Sequence, residues 1–244
     1  MSTSFAIVGA FGRLGSRILE RVNSSFGAEN VYPFGRADTL DFKNVDVVID
    51  VALPVGTAEL CDALNRHPKP LVTGVTGRSE EQRAQILELG SHMPVLVATN
   101  FSVGAHAAAL ALEFMAARLG PEYQTEIVEI HHQHKQDSPS GTAMTFGEAV
   151  ARGRRQSFDA IVSRADRTRR ESSEEIGISS LRGGAVIGEH SVRFLGPEDE
   201  LCLVHRAQTR DVFARGAVEV AEWLIDQQPN VYCMRDFVNS RAQF

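Results

Sequence analysis

The chain has 244 residues, 43% of them hydrophobic and 23% charged, with 20 Gly and 9 Pro, a balance that fits an ordinary soluble globular protein and excludes collagen, coiled coil and a disordered chain. A chain of this size buries roughly 75% of its unfolded surface, so its core needs no disulfides. The net charge of −6 argues against a nucleic-acid partner. The cysteines, Cys61, Cys202 and Cys233, are odd in number, widely separated and form no CxxC, which argues against a disulfide framework and a zinc site and fits a reducing cytoplasm. The N-terminus has no basic region and only a short apolar run before Gly9, so neither a signal peptide nor a membrane span is expected.

In chain order, the apolar run Phe5 to Val8 stops at Gly9, and Leu14, Ile18, Leu19 and Val22 then recur at helical spacing: strand, glycine turn, helix. Val31 to Phe34 precedes Gly35-Arg36, and Val45 to Val51, β-branched except at Asp46 and Asp50, reads as a parallel strand covered on both faces. Thr57 to Leu64 predicts a helix, Pro70 to Thr73 a strand, Ser79 to Leu89 a helix and Val95 to Ala98 a strand. Strands alternating with helices predict an α/β fold with a Rossmann-type doubly wound parallel sheet.

The pattern changes after Asn100. Gly104 to Leu119 is Ala-rich and helical, Glu126 to His132 predicts a strand, and a turn at Pro139 to Gly141 leads into a helix through Val150. The arginine-rich stretch from Arg152 to Arg170, followed by Glu171, Glu174 and Glu175, reads as a solvated helix end and surface loop. From Ile176, IGISSLR, AVIGEHSVRFL and ELCLVHRAQTR are strands following strands, which predicts a second α+β domain with a mixed sheet, joined near Ser102 to Gly104. Val212 to Ile225 is a helix that fits either domain.

Two segments carry chemistry. The turn Gly9-Ala10-Phe11-Gly12-Arg13-Leu14-Gly15 has the form GxxGxxG between a strand and a helix. Glycines there let backbone N–H groups approach a pyrophosphate at a helix N-terminus, and a tight structural turn is the alternative. At the end of the second strand stands Arg36 rather than a carboxylate, which favours the 2′-phosphate of NADPH, helped by Arg13; Asp38 nearby leaves NADH open. The second segment is Glu129 to Thr142, EIHHQHKQDSPSGT, with three of the eight histidines and one of only three lysines. Arginine stays charged at neutral pH, so a reaction that needs a proton donor has a reason to place Lys135 here. Ser140 is placed to cap the next helix, and the N–H groups of Gly141 and Thr142 face an incoming anion. Turn and lysine together form a clamp for a carboxylate-bearing substrate. No metal is expected, because on a strand His132 and His134 share one face and His131 takes the other.

With those motifs in view, the chain resembles the dihydrodipicolinate reductase family over almost its whole length. GAFGRLG is similar to the family's GAxGRMG turn, GVTG at Gly74 to Gly77 to its GTTG loop, and EIHHQHKQDSPSGTA to its signature EAHHxxKxDxPSGTA. ATNFSVG at Ala98 to Gly104, RGGAVIGEHSVRF, HRAQTRDVFARGA and VYCMRDF fit the family pattern as well. Val75 departs from GTTG, and Val51-Ala52-Leu53-Pro54 stands where the family typically has Phe-Ser/Thr-x-Pro.

The resemblance implies an NAD(P)H-dependent oxidoreductase of lysine biosynthesis that reduces 4-hydroxy-tetrahydrodipicolinate, a cyclic dicarboxylate, by hydride transfer to ring C4. His131 and Lys135 are then the acid/base pair. His132, Lys135, Ser140, Gly141 and Thr142 hold the substrate. Gly74, Thr76, Ala98, Asn100 and Phe101 join the glycine turn and Arg36 around the cofactor. The implied domains are 1–102, completed by 210–244, for the dinucleotide, and 103–209 for substrate and for assembly as a homotetramer. A different imine or aldehyde reductase, or a nucleotide-sensing protein without catalysis, are the rival expectations.

Overall fold

The computed structural model describes residues 2–162, 170 and 172–241. They form β1 (Phe5–Val8), α1 (Gly15–Phe26), β2 (Val31–Phe34), β3 (Val47–Asp50), α2 (Thr57–Arg66), β4 (Leu71–Thr73), α3 (Glu80–Leu89), β5 (Pro94–Val97) and α4 (Val103–Ala116). There follow β6 (Gln124–His131), α5 (Gly141–Arg154), β7 (Ala160–Val162), β8 (Ile176–Arg182), β9 (Glu189–Leu195), β10 (Glu200–Arg206), α6 (Asp211–Ile225), β11 (Asn230–Tyr232) and α7 (Met234–Ser240). The chain divides into two compact units, 1–103 with 211–244, and 104–210.

The first unit is a six-stranded parallel sheet in the order β11-β5-β4-β3-β1-β2. Its central strands are buried at every position because helices cover both faces. Phe5, Ile7, Ile49, Val72 and Leu96 pack on α1, α6 and α7 through Ile18, Val22, Ala217, Leu224 and Phe237. Alternate residues Ala6, Val48, Leu71 and Val95 pack on α2 and α3 through Leu60, Leu64, Ile86 and Leu89. Ser79 caps α3 in a reciprocal pair with Gln82, which fixes where the β4–α3 connection ends. The short β11, absent from the sequence reading, completes the sheet beside β5.

The second unit is a five-stranded mixed sheet, β10-β9-β6-β8-β7, with β6 antiparallel to β9 and parallel to β8. Along β6 burial alternates strictly, so one face packs on α4 and α5 through Ile127, Ile178, Val192, Phe194, Leu112 and Phe146. In the arginine-rich stretch, Arg152 and Arg155 are exposed as expected of a solvated helix end, whereas Arg154 and Arg170 are drawn inward. Arg154 donates to the Thr125 hydroxyl at 2.8 Å, and Arg170 pairs with Glu126 at 2.5 Å, with a side chain only 14% exposed. The start of β6 supplies carbonyls and a carboxylate that draw these guanidinium groups inward, which charge pattern alone does not reveal. β7 also lies in this stretch, and residues 163–169 fall outside the described ones.

Candidate functional site

In the first unit, the turn after β1 is built by its backbone. Gly9 and Ala10 donate to the Phe34 carbonyl at 2.9 and 3.2 Å, and Gly12 donates back to Gly9 at 3.0 Å. Gly9 has φ +84°, and a Cβ on Gly15 would lie 2.0 Å from the Gly9 carbonyl oxygen, so neither position accepts a side chain. Helix α1 opens here with no side-chain cap and no acidic residue in its first turn, leaving its N-terminus suited to an anion. Arg13, Arg36 and Phe11 are exposed around the turn, Phe11 to 69%. Leu14 is half-buried and Ala10 buried.

The Asp38 carboxylate accepts the Gly35 N–H through Oδ2 at 2.7 Å. Gly74, Thr76, Ala98, Asn100 and Phe101 follow β4 and β5 at the carboxyl edge of the same sheet. The Phe101 ring packs on Gly74, and Asn100 accepts the Ser102 N–H at 2.8 Å. This edge, with its glycine turn and uncapped helix, fits a dinucleotide, whose pyrophosphate the turn amides would hold.

In the second unit, β6 ends at His131, so the period of two stops there and His132 to His134 enter a turn, with Lys135 N–H donating to the His132 carbonyl at 3.1 Å. His131, 7% exposed, shares a strand face with Glu129, and its Nδ1 donates to Glu129 Oε2 in a very short contact. Its Nε2 faces Gly188, where a Cβ would stand 3.0 Å away. The other Glu129 oxygen receives Arg182 Nη2 at 2.9 Å and the Ser140 N–H at 3.3 Å. Burial alone would raise the Glu129 carboxyl, but the hydrogen bond and positive charge of Arg182 hold it below the usual value. Burial lowers His131, with Glu129 opposing and Lys135 adding to the shift. His131 is therefore neutral at neutral pH, with the proton on Nδ1 and a lone pair on Nε2.

Ser140 caps α5 by accepting the Ala143 N–H at 3.2 Å, and its hydroxyl also lies 2.9 Å from His190 Nε2. Ser140 is 2% exposed and its hydroxyl is spent on these contacts, while nothing stands within 4 Å of where a Gly141 Cβ would project. Thr142 is half-buried on the first turn beside it. His190 is pushed to about 3 by burial and by the neighbouring His131. Lys135, half-buried, pairs with Asp137 at 2.9 Å, and His132 Nε2 lies 3.3 Å from Arg210.

The structure thus gathers His131 and Ser140 around Glu129 and keeps Lys135 within electrostatic reach of His131. Glu129, Arg182 and His190 were missed by the sequence reading. The spacing of two between Glu129 and His131 was a visible signal, whereas Arg182 and His190 arrive by register, paired opposite His131 and Glu129 on β8 and β9. Glu129, His131 and His190 present ligand atoms within 4.8 Å of one another. Arg182 on the same carboxylate and Lys135 beside His131 put positive charge there, which opposes a cation.

A glycine turn on a parallel sheet and a buried Glu–His pair beside a lysine and a helix N-terminus define an oxidoreductase of the dinucleotide-binding α/β class. Models of the N-terminus and C-terminus of dihydrodipicolinate reductase match residues 3–101 and 104–238, so the chain belongs to the dihydrodipicolinate reductase family. Among its relatives is a 4-hydroxy-tetrahydrodipicolinate reductase of Syntrophotalea carbinolica, 36% identical over 96% of this chain and 97% of its own. That of Campylobacter jejuni is 38% identical over 95% and 97%. A dipicolinate-bound dihydrodipicolinate reductase from Paenisporosarcina sp. TG-14 shares the fold, with a TM-score of 0.76 at 22% identity, covering 97% of this chain and 99% of its own.

Proposed function

We propose that this protein reduces 4-hydroxy-tetrahydrodipicolinate to tetrahydrodipicolinate with NAD(P)H, in the diaminopimelate route to lysine. The observation that carries this reading is the β6–α5 connection. It sets a neutral, Glu129-bound His131, an ammonium at Lys135 and the open N-terminus of α5 within one 14-residue segment of the matched C-terminal family model.

The cofactor residues are the turn Gly9 to Gly15, Arg36, and Gly74, Thr76, Ala98, Asn100 and Phe101 at the carboxyl edge of the sheet. Arg36 is exposed just after β2, where a guanidinium rather than a carboxylate stands, which favours the 2′-phosphate of NADPH over the ribose hydroxyl of NADH. A reduced nicotinamide bound there supplies the hydride for ring C4 of the substrate.

In the second unit the amides of Gly141 and Thr142 receive one substrate carboxylate, with Ser140 shaping the turn and His132 and Lys135 supplying further contacts. The substrate's 4-hydroxyl leaves as water to give a conjugated dihydropyridine, and hydride added at C4 of that ring then places negative charge on the ring nitrogen and C3. The Lys135 ammonium stabilises that charge and donates the proton, and His131, its tautomer fixed by Glu129, assists through Nε2.

The sheet face turned away from α4 and α5 carries half-buried Val128 and Ile130 and exposed Leu181 and Val204, 52% and 48% accessible. An apolar band on an otherwise polar face supports assembly with further copies of the chain as a homotetramer. The described cysteines are free and no described helix is long and apolar enough to cross a membrane, which supports a cytoplasmic place for the enzyme.

Incubation of the protein with NADPH and the condensation product of pyruvate and aspartate semialdehyde tests the reading. Loss of reduced-nicotinamide absorbance is expected. Stable absorbance with that substrate, and loss with an unrelated imine or aldehyde, would favour a different reductase. Binding of NADPH without turnover of any of them would favour a sensor.

A further inference from the structure

Four polar side chains are buried together at the carboxyl edge of the first sheet, apart from the glycine turn and from any residue the sequence singled out. Asp50 ends β3, Thr73 ends β4, Thr57 opens α2, and Arg78 lies between Gly77 and the Ser79 cap of α3. Their exposures are 2%, 0%, 1% and 6%. Arg78 donates in three directions: Nη2 to Asp50 Oδ2 at 2.6 Å, Nη1 to the Thr73 hydroxyl at 2.9 Å, and Nε to the Thr57 hydroxyl at 3.0 Å. Thr73 donates in turn to Asp50 at 2.8 Å. Only a guanidinium offers donors fixed in such a fork.

A buried ion pair is poor evidence for stability, because desolvation consumes most of its Coulombic gain and apolar replacement is often neutral. Its place suggests another use. Asp50 Oδ1 accepts the Ala52 N–H at 3.2 Å, and Ala52 is the residue against which Gly9 packs, with a Gly9 Cβ falling 2.8 Å from it. The Pro54 carbonyl accepts from Gln82 at 2.9 Å, so the β3–α2 connection is pinned on both sides of Leu53, which stays 61% exposed. The Gly74 N–H donates to the Asp50 carbonyl at 2.8 Å, tying in the β4–α3 connection as well. This tie stands where Val51-Ala52-Leu53-Pro54 and Val75 depart from the family pattern.

We infer that Arg78 is a positioning residue for the reduced dinucleotide, holding the connections after β3 and β4 against the glycine turn. The inference rests on the reading that this unit binds NAD(P)H. It acts through binding geometry rather than through contact with the reacting atoms.

The test is equilibrium titration of NADPH into the wild type, Arg78→Met, Arg78→Lys and Thr73→Val, followed by nucleotide fluorescence, with melting temperature measured on each. Arg78→Met leaves the buried Asp50 carboxylate without its cation and should lower the melting temperature, and where it still melts cooperatively it is expected to raise the NADPH Kd by about tenfold or more, since small misplacements of a site are costly. Arg78→Lys, which keeps the charge on Asp50 but reaches fewer acceptors, should fall between it and the wild type. The affinity for dipicolinate, a matter for the second unit, should not move. A folded Arg78→Met that binds NADPH as tightly as the wild type overturns the inference. If Arg78→Met does not fold, Thr73→Val, which deletes an acceptor for Arg78 and a donor to Asp50, and Thr57→Val, which deletes one acceptor, decide it with the ion pair intact: unchanged Kd in both overturns it. A wild type that binds neither NADPH nor NADH overturns the underlying reading too, and the parallel titration separates the two failures.

Discussion

Arg182 Nη2 stands 2.9 Å from Glu129 Oε1, and this pair backs directly onto His131 through the other carboxylate oxygen. The arginine keeps Glu129 ionised in a buried place, and the carboxylate fixes the proton of His131 on Nδ1. Glu129→Gln removes the charge while keeping the shape. We expect kcat to fall by roughly 10²-fold, as for loss of an oriented acid or base, with the KM for NADPH unchanged. Because Glu129 raises His131, its removal should move the acidic limb of the pH–rate profile to lower pH. An unmoved limb would contradict this role.

Lys135→Ala and His131→Ala are each expected to lower kcat by roughly 10²- to 10⁴-fold with little change in melting temperature. Lys135 is half-buried and pairs with Asp137, which is exposed, at 2.9 Å, so its truncation does not strand the Asp137 charge in the interior. Unchanged turnover in folded Lys135→Ala would remove the lysine from the chemistry.

Arg36→Ala should raise the KM for NADPH and leave that for NADH nearly unchanged, since the side chain is exposed and its proposed partner is the 2′-phosphate. Equal effects on both cofactors, measured by parallel initial-rate series, would contradict the assignment.

His190 gives a pH dependence of stability. Its folded value is about 3 against 6.5 ordinarily, because burial excludes the charged form. The unfolded chain therefore binds the proton first, and the stability held above pH 6.5 is lost as pH falls from 6.5 towards 3, at up to about 1.4 kcal/mol per pH unit. His190→Gln keeps a polar group near Ser140 and does not titrate. Urea unfolding of both proteins at about pH 7.5 and about pH 5.5 should show the gap between them narrowing at the lower pH, and a constant gap would refute the claim.

Much of the fold was legible because burial repeats in the chain. The all-apolar run at Val47 to Ile49 announces a parallel strand covered on both faces, and strands following strands from Ile176 announce the mixed sheet, whereas the alternating burial of β6 does not show in its residues, since Glu129 and His131 lie on the buried face and Val128 and Ile130 on the other. β11 was not legible, since Asn230 to Tyr232 is a short edge strand with no period of its own. In the site, GAFGRLG and the His131 to Thr142 segment were visible as local motifs. The groups that arrive from other strands or loops, Arg182, His190 and Arg78, were not, because they depend on register and on which connections meet at a sheet edge.

The most direct measurement is a turnover experiment with NADPH carrying deuterium at the transferable C4 position, using the condensation product of pyruvate and aspartate semialdehyde as substrate and NMR of the product. The account predicts one deuterium at ring C4 of tetrahydrodipicolinate, formed in step with loss of reduced cofactor. Product without deuterium, or cofactor oxidation that does not depend on the dicarboxylate, would contradict it.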